Sequence, residues 1–347
     1  GRSRAVDLLS SRPALRPAGP AMRPFRPSRC AVLALIAAAA LAAAETSEAS
    51  ARMQVEIDAA AGSAAAAAPD PRLNEHMMGL AAEMSDQLTD IMASLQHGSD
   101  SARDAAVARL GQLSIATAEA GREQARMFRS AVVVGGALPE LVSMLGSEQT
   151  RRQALAAEAI HTLAIDDPTS DADNFHSLEI CQSGAVAPLV AMLSSTDEAA
   201  QAAATGALSC LAENPVCQQM IAGAGALAPL MKLTQYGSDM GKLSAMGALD
   251  VLTVNNPLVQ QELLTAGAPK LLSGLESMGA QLLREQAGSF GARLRDEKAA
   301  AAAPKLDEAA HVRAARDTRI KYDGLRQRAV RMMQGWGDER STHRSGR

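Results

Sequence analysis

Gly184-Ala-Val-Ala-Pro188-Leu189-Val190-Ala-Met-Leu193, a polar break, then Ala203-Ala-Thr-Gly-Ala-Leu-Ser-Cys-Leu211-Ala212 is a pattern that this chain states twice. The second statement reads Gly225-Ala-Leu-Ala-Pro229-Leu230-Met231-Lys-Leu233, a break, then Ser244-Ala-Met-Gly-Ala-Leu-Asp-Val-Leu252-Thr253. Leu189 to Leu230 is 41 residues, and Leu211 to Leu252 is 41 again. Inside each copy the apolar residues recur at three and four, the spacing of one helix face. A fixed period of this length built from helical units predicts a stacked solenoid, in which no unit buries its apolar face until its neighbour covers it.

The signature has a local cause. Glycine lets the chain leave one helix in a left-handed conformation, and proline in the next first turn loses no needed hydrogen bond. The alanine-rich stripe that follows allows close helix packing, with Leu163, Leu211 and Leu252 expected to fill the space between layers. Outward from the centre, Gly135-Gly136-Ala-Leu-Pro139-Glu-Leu141-Val142 and Ala156 to Ala164 form an earlier copy. Leu163 to Leu211 is 48 residues, and the excess falls in the polar stretch Asp166 to Asn174, read as an acidic inserted loop and a contact site. Gly267-Ala-Pro269-Lys-Leu271-Leu opens a last copy, whose final helix carries Arg293 and Arg295 as a polar cap. Leu80, Met84, Leu88, Ile91, Met92 and Leu95, then Ala106, Leu110 and Leu113, mark a divergent first copy whose second helix ends in a polar bend.

At 347 residues and 47% hydrophobic, the chain can bury a large core; with aromatics at 2%, that core is aliphatic, which favours short packed helices over a β-sandwich. Charge is unevenly spread. Residues 1–44 carry seven Arg and one Asp, and 298–347 carry twelve Lys or Arg against six acids, so each end is near +6. The overall charge of −4 then leaves the middle near −16 (−4 minus 12), an acidic body that points to a basic partner or to self-contact. Cys30, Cys181, Cys210 and Cys217 contain no C-x-x-C spacing, and the last three read as small buried hydrophobes.

The ends read differently. The first residue is Gly, consistent with a fragment or an over-extended gene product. From Met22, a basic stub (Arg23, Arg26, Arg29), the apolar run Cys30 to Ala44 and a small-x-small site before Glu45 make a secretory signal peptide. Alternatives stay open: an uncleaved anchor, a leader to a plastid lumen, or a true start at Met53 or Met77 with a cytoplasmic protein. Residues 45–72 form an Ala/Ser-rich linker ahead of a solenoid over 73–297. In the tail, 298–347, Lys305 to Met333 reads as one helix mixing Val312, Ile320, Leu325 and Val330 with Arg313, Arg316, Arg319, Lys321, Arg326, Arg328 and Arg331. Either it lies across the acidic solenoid and competes with partners, through intramolecular contact over 305–331, or it is a solvated helix that gives out beyond Gly335-Trp336-Gly337.

Gly-Ala-(Leu/Val)-x-Pro-Leu-(Val/Met)-x-x-Leu followed by Ala-x-x-Ala-Leu-x-x-Leu-Ala resembles the armadillo repeat, over roughly 80–297. The resemblance implies an all-α, right-handed superhelical solenoid of about five three-helix repeats, whose third helices line a concave groove that holds a partner segment. In importin-α-like members each third helix presents a Trp and, four residues later, an Asn. Here the matching pairs are Ala108 and Gln112, Glu158 and Thr162, Gly206 and Cys210, Gly247 and Val251, so no such ladder is present. Nor is there a long basic groove of the β-catenin kind. The nearest resemblance is to generic, vacuolar-scaffold-like armadillo proteins.

Catalytic signatures are missing from the sequence. His76, His97, His161, His176, His311 and His343 form no metal pair at three or four and sit near no nucleophile elbow. Gly223-Ala-Gly225-Ala-Leu-Ala lacks the third glycine of a dinucleotide loop. The reading is therefore a non-catalytic scaffold with no cofactor, no metal and no nucleic-acid partner, binding an extended or helical segment of a protein partner, basic or helical in character, in its concave groove. Its expected groove residues are Glu158, Thr162, Asp166, Gly206, Cys210, Asn214, Gly247, Val251 and Asn255, stepped by four along three third helices. The alternative is a membrane-associated structural protein held by the leader or by the basic tail on anionic lipid.

Overall fold

Glycine at the start of each repeat sets the architecture. In the computed structural model, which describes residues 86–120, 122–165, 175–295 and 308–342, Gly136, Gly184, Gly225 and Gly267 all have φ between 81° and 92°. At these positions the chain needs the left-handed region, which a side chain would strain. Each is followed by a short helix with Pro139, Pro188, Pro229 or Pro269 in its first turn.

The described residues form fifteen helices and no strand. The divergent first repeat contributes α1 (86–97) and α2 (Asp100–Ala120). The second contributes α3 (Arg122–Val134), α4 (Ala137–Leu145) and α5 (Thr150–Ala164). The third is α6 (Phe175–Gln182), α7 (Val186–Met192) and α8 (Glu198–Leu211). The fourth is α9 (Pro215–Gly223), α10 (Leu227–Tyr236) and α11 (Asp239–Thr253). The fifth is α12 (Pro257–Thr265), α13 (Ala268–Met278) and α14 (Gln281–Arg295), and the tail is a single long helix, α15 (Glu308–Thr342). The leader, the linker and the acidic insertion 166–174 lie outside the described residues.

Side chains start the helices where the backbone cannot. Asn214 accepts from the amides of Val216 (2.9 Å) and Cys217 (3.2 Å), Asn256 from Val259 (3.2 Å), Asp197 from Ala200 (2.9 Å) and Ser238 from Gly241 (3.2 Å). Each such cap contributes about 1 kcal/mol. The helix α2 outruns its expected polar bend, because the Thr117 hydroxyl turns back onto the Ser114 carbonyl (2.9 Å) and leaves the ladder intact. The tail helix likewise continues through Gly335 and Gly337 to Thr342.

One core runs from α1 to α15, with Leu163, Leu211 and Leu252 each no more than 1% exposed between layers, as the period predicts. Ala156, Ala204, Ala207, Ala245 and Ala248 are buried where third helices meet. Polar ties within repeats recur at the same period. Gln218 donates to the Val251 and Val254 carbonyls (3.0 and 3.2 Å), and Gln260, 42 residues on, donates to Leu294 (2.8 Å). Arg152 joins α5 to α2 through Asp104 and Asp100, both at 2.8 Å. Among the described residues no single helix is long and apolar enough to cross a membrane.

The cysteines correct the sequence reading. Cys181 on α6 and Cys217 on α9 are buried but joined in a disulfide, with Cα atoms 5.8 Å apart; Cys210 is buried on α8. Sequence spacing hid this pair because first helices of adjacent repeats meet only after stacking. Closing a loop of 36 residues contributes about 3–4 kcal/mol by restricting the unfolded chain. Treating the oxidised protein with dithiothreitol should therefore lower Tm by about 10 °C in a calorimetric scan; an unchanged Tm would mean the bond adds nothing to stability.

Candidate partner-binding groove

Third helices α5, α8, α11 and α14 lie side by side, and their shared face carries small side chains: Thr205, Gly206 and Ser209 from α8, Ser244 and Gly247 from α11. The tail helix α15 lies on that face, packed chiefly along α11 and touching α8 and α9. Tail residues Arg316, Arg319 and Tyr322 are spaced by three, so they share one face of their helix, and all three are buried there.

Each finds a matched position. Glu213, just past the end of α8 and 1% exposed, accepts from Arg316 Nε (3.1 Å) on one oxygen and from Arg319 Nε on the other. Arg319 also donates to Asp323 one turn along its own helix (2.7 Å). Tyr322 packs closely on Gly247: a Cβ there would come within 2.9 Å of the tyrosine Cβ and Cγ. Beside the ring, buried Asp250 of α11 pairs with Arg293 of α14, whose Nε is 3.3 Å from Oδ1. Lys321 reaches Ser289 of α14 (3.3 Å).

Burial dominates the titrations at this interface. Desolvation pushes the Asp250 carboxyl up despite the Arg293 guanidinium, and burial beside Asp250 pushes the Tyr322 phenol well up. His161 of α5 sits where the tail crosses, its ring against Gly206. Desolvation, with Arg319 and Arg326 opposing the pull of Asp323, lowers its pKa from 6.5 to about 4. The docked tail thus favours a neutral imidazole. At the tail's start His311 is buried with neither ring nitrogen hydrogen-bonded among the described residues, and burial lowers its pKa too.

The sequence-derived candidates divide. Glu158 is exposed on α5, its carbonyl accepting from the half-buried Thr162 (2.9 Å). Gly206 and Gly247 do lie on the third-helix face, the first against His161 and the second beneath Tyr322. Asn255 is exposed with a left-handed φ of 50°. Three need correcting. Val251 is fully buried in the core, Asn214 is consumed in capping α9, and Cys210 has no exposed side chain but lies near Arg319 of the docked tail. Asp166 lies outside the described residues. The sequence reading passed over Glu213 and Asp250 and gave His161 no part in the groove. Its available signal was charge, because Glu213 and Asp250 are acids at the ends of otherwise small, uncharged stripes. Among the described residues no cluster of His, Cys, Asp or Glu could hold a metal.

The Armadillo/beta-catenin-like repeat pattern matches residues 176–212, the span of α6 to α8. A computationally designed armadillo repeat protein made for modular peptide recognition is similar in structure, with a TM-score of 0.51 at 24% identity, over 63% of this chain and 86% of that one. An engineered protein from a structural genomics programme superposes with a TM-score of 0.54 at 20% identity, over 63% and 83%. An armadillo repeats only protein from Plasmodium falciparum gives 0.51 at 15% identity, over 66% of this chain and all of its own. No curated protein matches the sequence.

Filling the seat of the ring tests the geometry. Gly247→Leu should displace Tyr322 and expose α15, raising tryptic cleavage within 308–331 at least about tenfold while far-ultraviolet dichroism is kept. In the same variant the His161 titration followed by NMR should move from about 4 back toward 6.5. A lowered histidine pKa means the undocked state binds more protons, so docking is fully supported above 6.5 and weakens toward 4. Unchanged cleavage and titration would show that Gly247 does not seat the tail.

Proposed function

We propose that this chain, an α-solenoid with an Armadillo/beta-catenin-like repeat at 176–212, works as a non-catalytic adaptor whose third-helix face grips a helical segment of a protein partner. One observation carries the reading: that face already accommodates a helix, seated on Gly247 and held by Glu213. The mode is helix in groove, in which small floor residues let an amphipathic helix approach closely. A designed relative built for peptide recognition supports the same use of the fold. Catalysis has no support in the site, where the carboxylates of Glu213 and Asp250 are engaged by guanidinium groups.

The test is a selection. Full-length chain with its tail contacts weakened by Arg319→Ala and Tyr322→Ala would be offered displayed libraries of helical and of extended peptides. Helical clones should be enriched, and Gly206→Trp in the third-helix face should abolish their binding with the thermal transition preserved. Enrichment of extended peptides alone, or binding indifferent to Gly206→Trp, would overturn the reading.

We also infer that the protein works in an oxidising compartment. The Cys181–Cys217 disulfide favours this, since such bonds persist outside the reducing cytosol, and the leader over 22–44 has the order of a secretory signal. Mass spectrometry of the protein from its own cells, alkylated before reduction, should find the two thiols blocked and a new terminus at Glu45. Alkylated Cys181 and Cys217 with a start at Met53 or Met77 would place it in the cytosol instead.

A further inference from the structure

Glu213 is a carboxylate 1% exposed, and two guanidinium groups converge on its two oxygens. A buried charge is tolerated only with such partners, so whatever covers this face must bring a cation to that point. Gly247 lets the covering helix approach closely, because a Cβ there would come within 2.9 Å of the Cβ and Cγ of Tyr322, an aromatic residue buried at that point. The distance between the two requirements is set by the tail itself: Arg316 and Arg319 meet Glu213, and Tyr322, one further step of three, meets Gly247.

We propose that the partner of this face is a basic amphipathic helix carrying two arginines and an aromatic residue spaced by three, and that it binds by displacing the chain's own tail. This rests on the adaptor reading above and specifies its ligand. The tail is an exchangeable occupant for two reasons. Its main anchors are buried ion pairs, which add little net stability over their desolvation. It is also an imperfect ligand: His311 buries both ring nitrogens with neither hydrogen-bonded among the described residues, a defect that an apolar residue at the same place removes. The acidic body, near −16 between the two basic ends, steers the same class of helix toward the face.

The experiment measures fluorescence anisotropy of a labelled peptide copying residues 308–331 against the full-length chain. Wild type should bind weakly, because its face is occupied; Arg316→Ala, Arg319→Ala and Tyr322→Ala combined should tighten binding at least about tenfold by freeing the site. Adding Glu213→Gln should erase that gain, a peptide with both arginines changed to Glu should not bind, and one with His311→Leu should bind more tightly than the parent. In unaltered protein, excess peptide should speed hydrogen exchange across the tail, which keeps the test valid if the triple variant fails to fold.

Equal binding of parent and charge-reversed peptides, or indifference to Glu213→Gln, would overturn the proposal. So would a concentration-dependent dimer of wild type that exchanges tails, which would make a second copy the occupant. If the peptide fails while the selection above still yields other helices, the ligand class is wrong and the adaptor reading stands; if both fail, both fall.

Discussion

Third helices can stack only if their facing surfaces are nearly bare. Ala204 and Ala207 of α8 against Ala156 and Ala157 of α5, and Ala245 and Ala248 of α11, let the helix backbones approach closely. Larger residues there would hold the layers apart and starve the core of the contacts that leucines at the repeat period supply. The same constraint explains the chain's composition. With aromatics at 2%, the interior has to be filled by many small aliphatic groups placed in register. Register in turn depends on the four left-handed glycines and on buried glutamines that tie one repeat's first helix to the carbonyls ending its third.

A smooth stack leaves a smooth face, and that is where α15 settles. An uncovered Glu213 is an ordinary solvated acid; under the tail it becomes a desolvated charge that demands guanidinium on both oxygens. Arg293 does the corresponding work at Asp250, from within the solenoid. The fifth repeat's basic last helix is thus more than a polar cap, since Arg293 prepares the seat beside which Tyr322 lies.

Period, glycines, prolines and core leucines were legible because each expresses a local rule repeated at fixed spacing. The groove residues were legible only in part, for a geometric reason. Stepping by four along a helix turns 400°, so two steps from Gly206 to Asn214 drift by about 80°, whereas seven residues to Glu213 return within about 20°. The four-step ladder therefore kept Gly206 and Gly247 and then wandered into the core at Val251 and into a cap at Asn214. The Cys181–Cys217 bond and the seat of His161 under the tail were out of reach of spacing altogether, since both are products of stacking and docking.

The bare floor also decides what kind of segment suits it. An extended peptide brings a row of unsatisfied amides and carbonyls, and a groove that holds one must supply side-chain amides to pair them. The positions from which such amides would project are here Thr162, Cys210 and Val251, and the last two are buried. A helix satisfies its own backbone and asks only for width, shape and charge. Gly206 and Gly247 provide width, Gly247 the close approach of Tyr322, and Glu213 the charge. A face stripped of backbone-binding amides yet furnished with one buried acid therefore selects a helix over a strand, and a cationic helix over a neutral one.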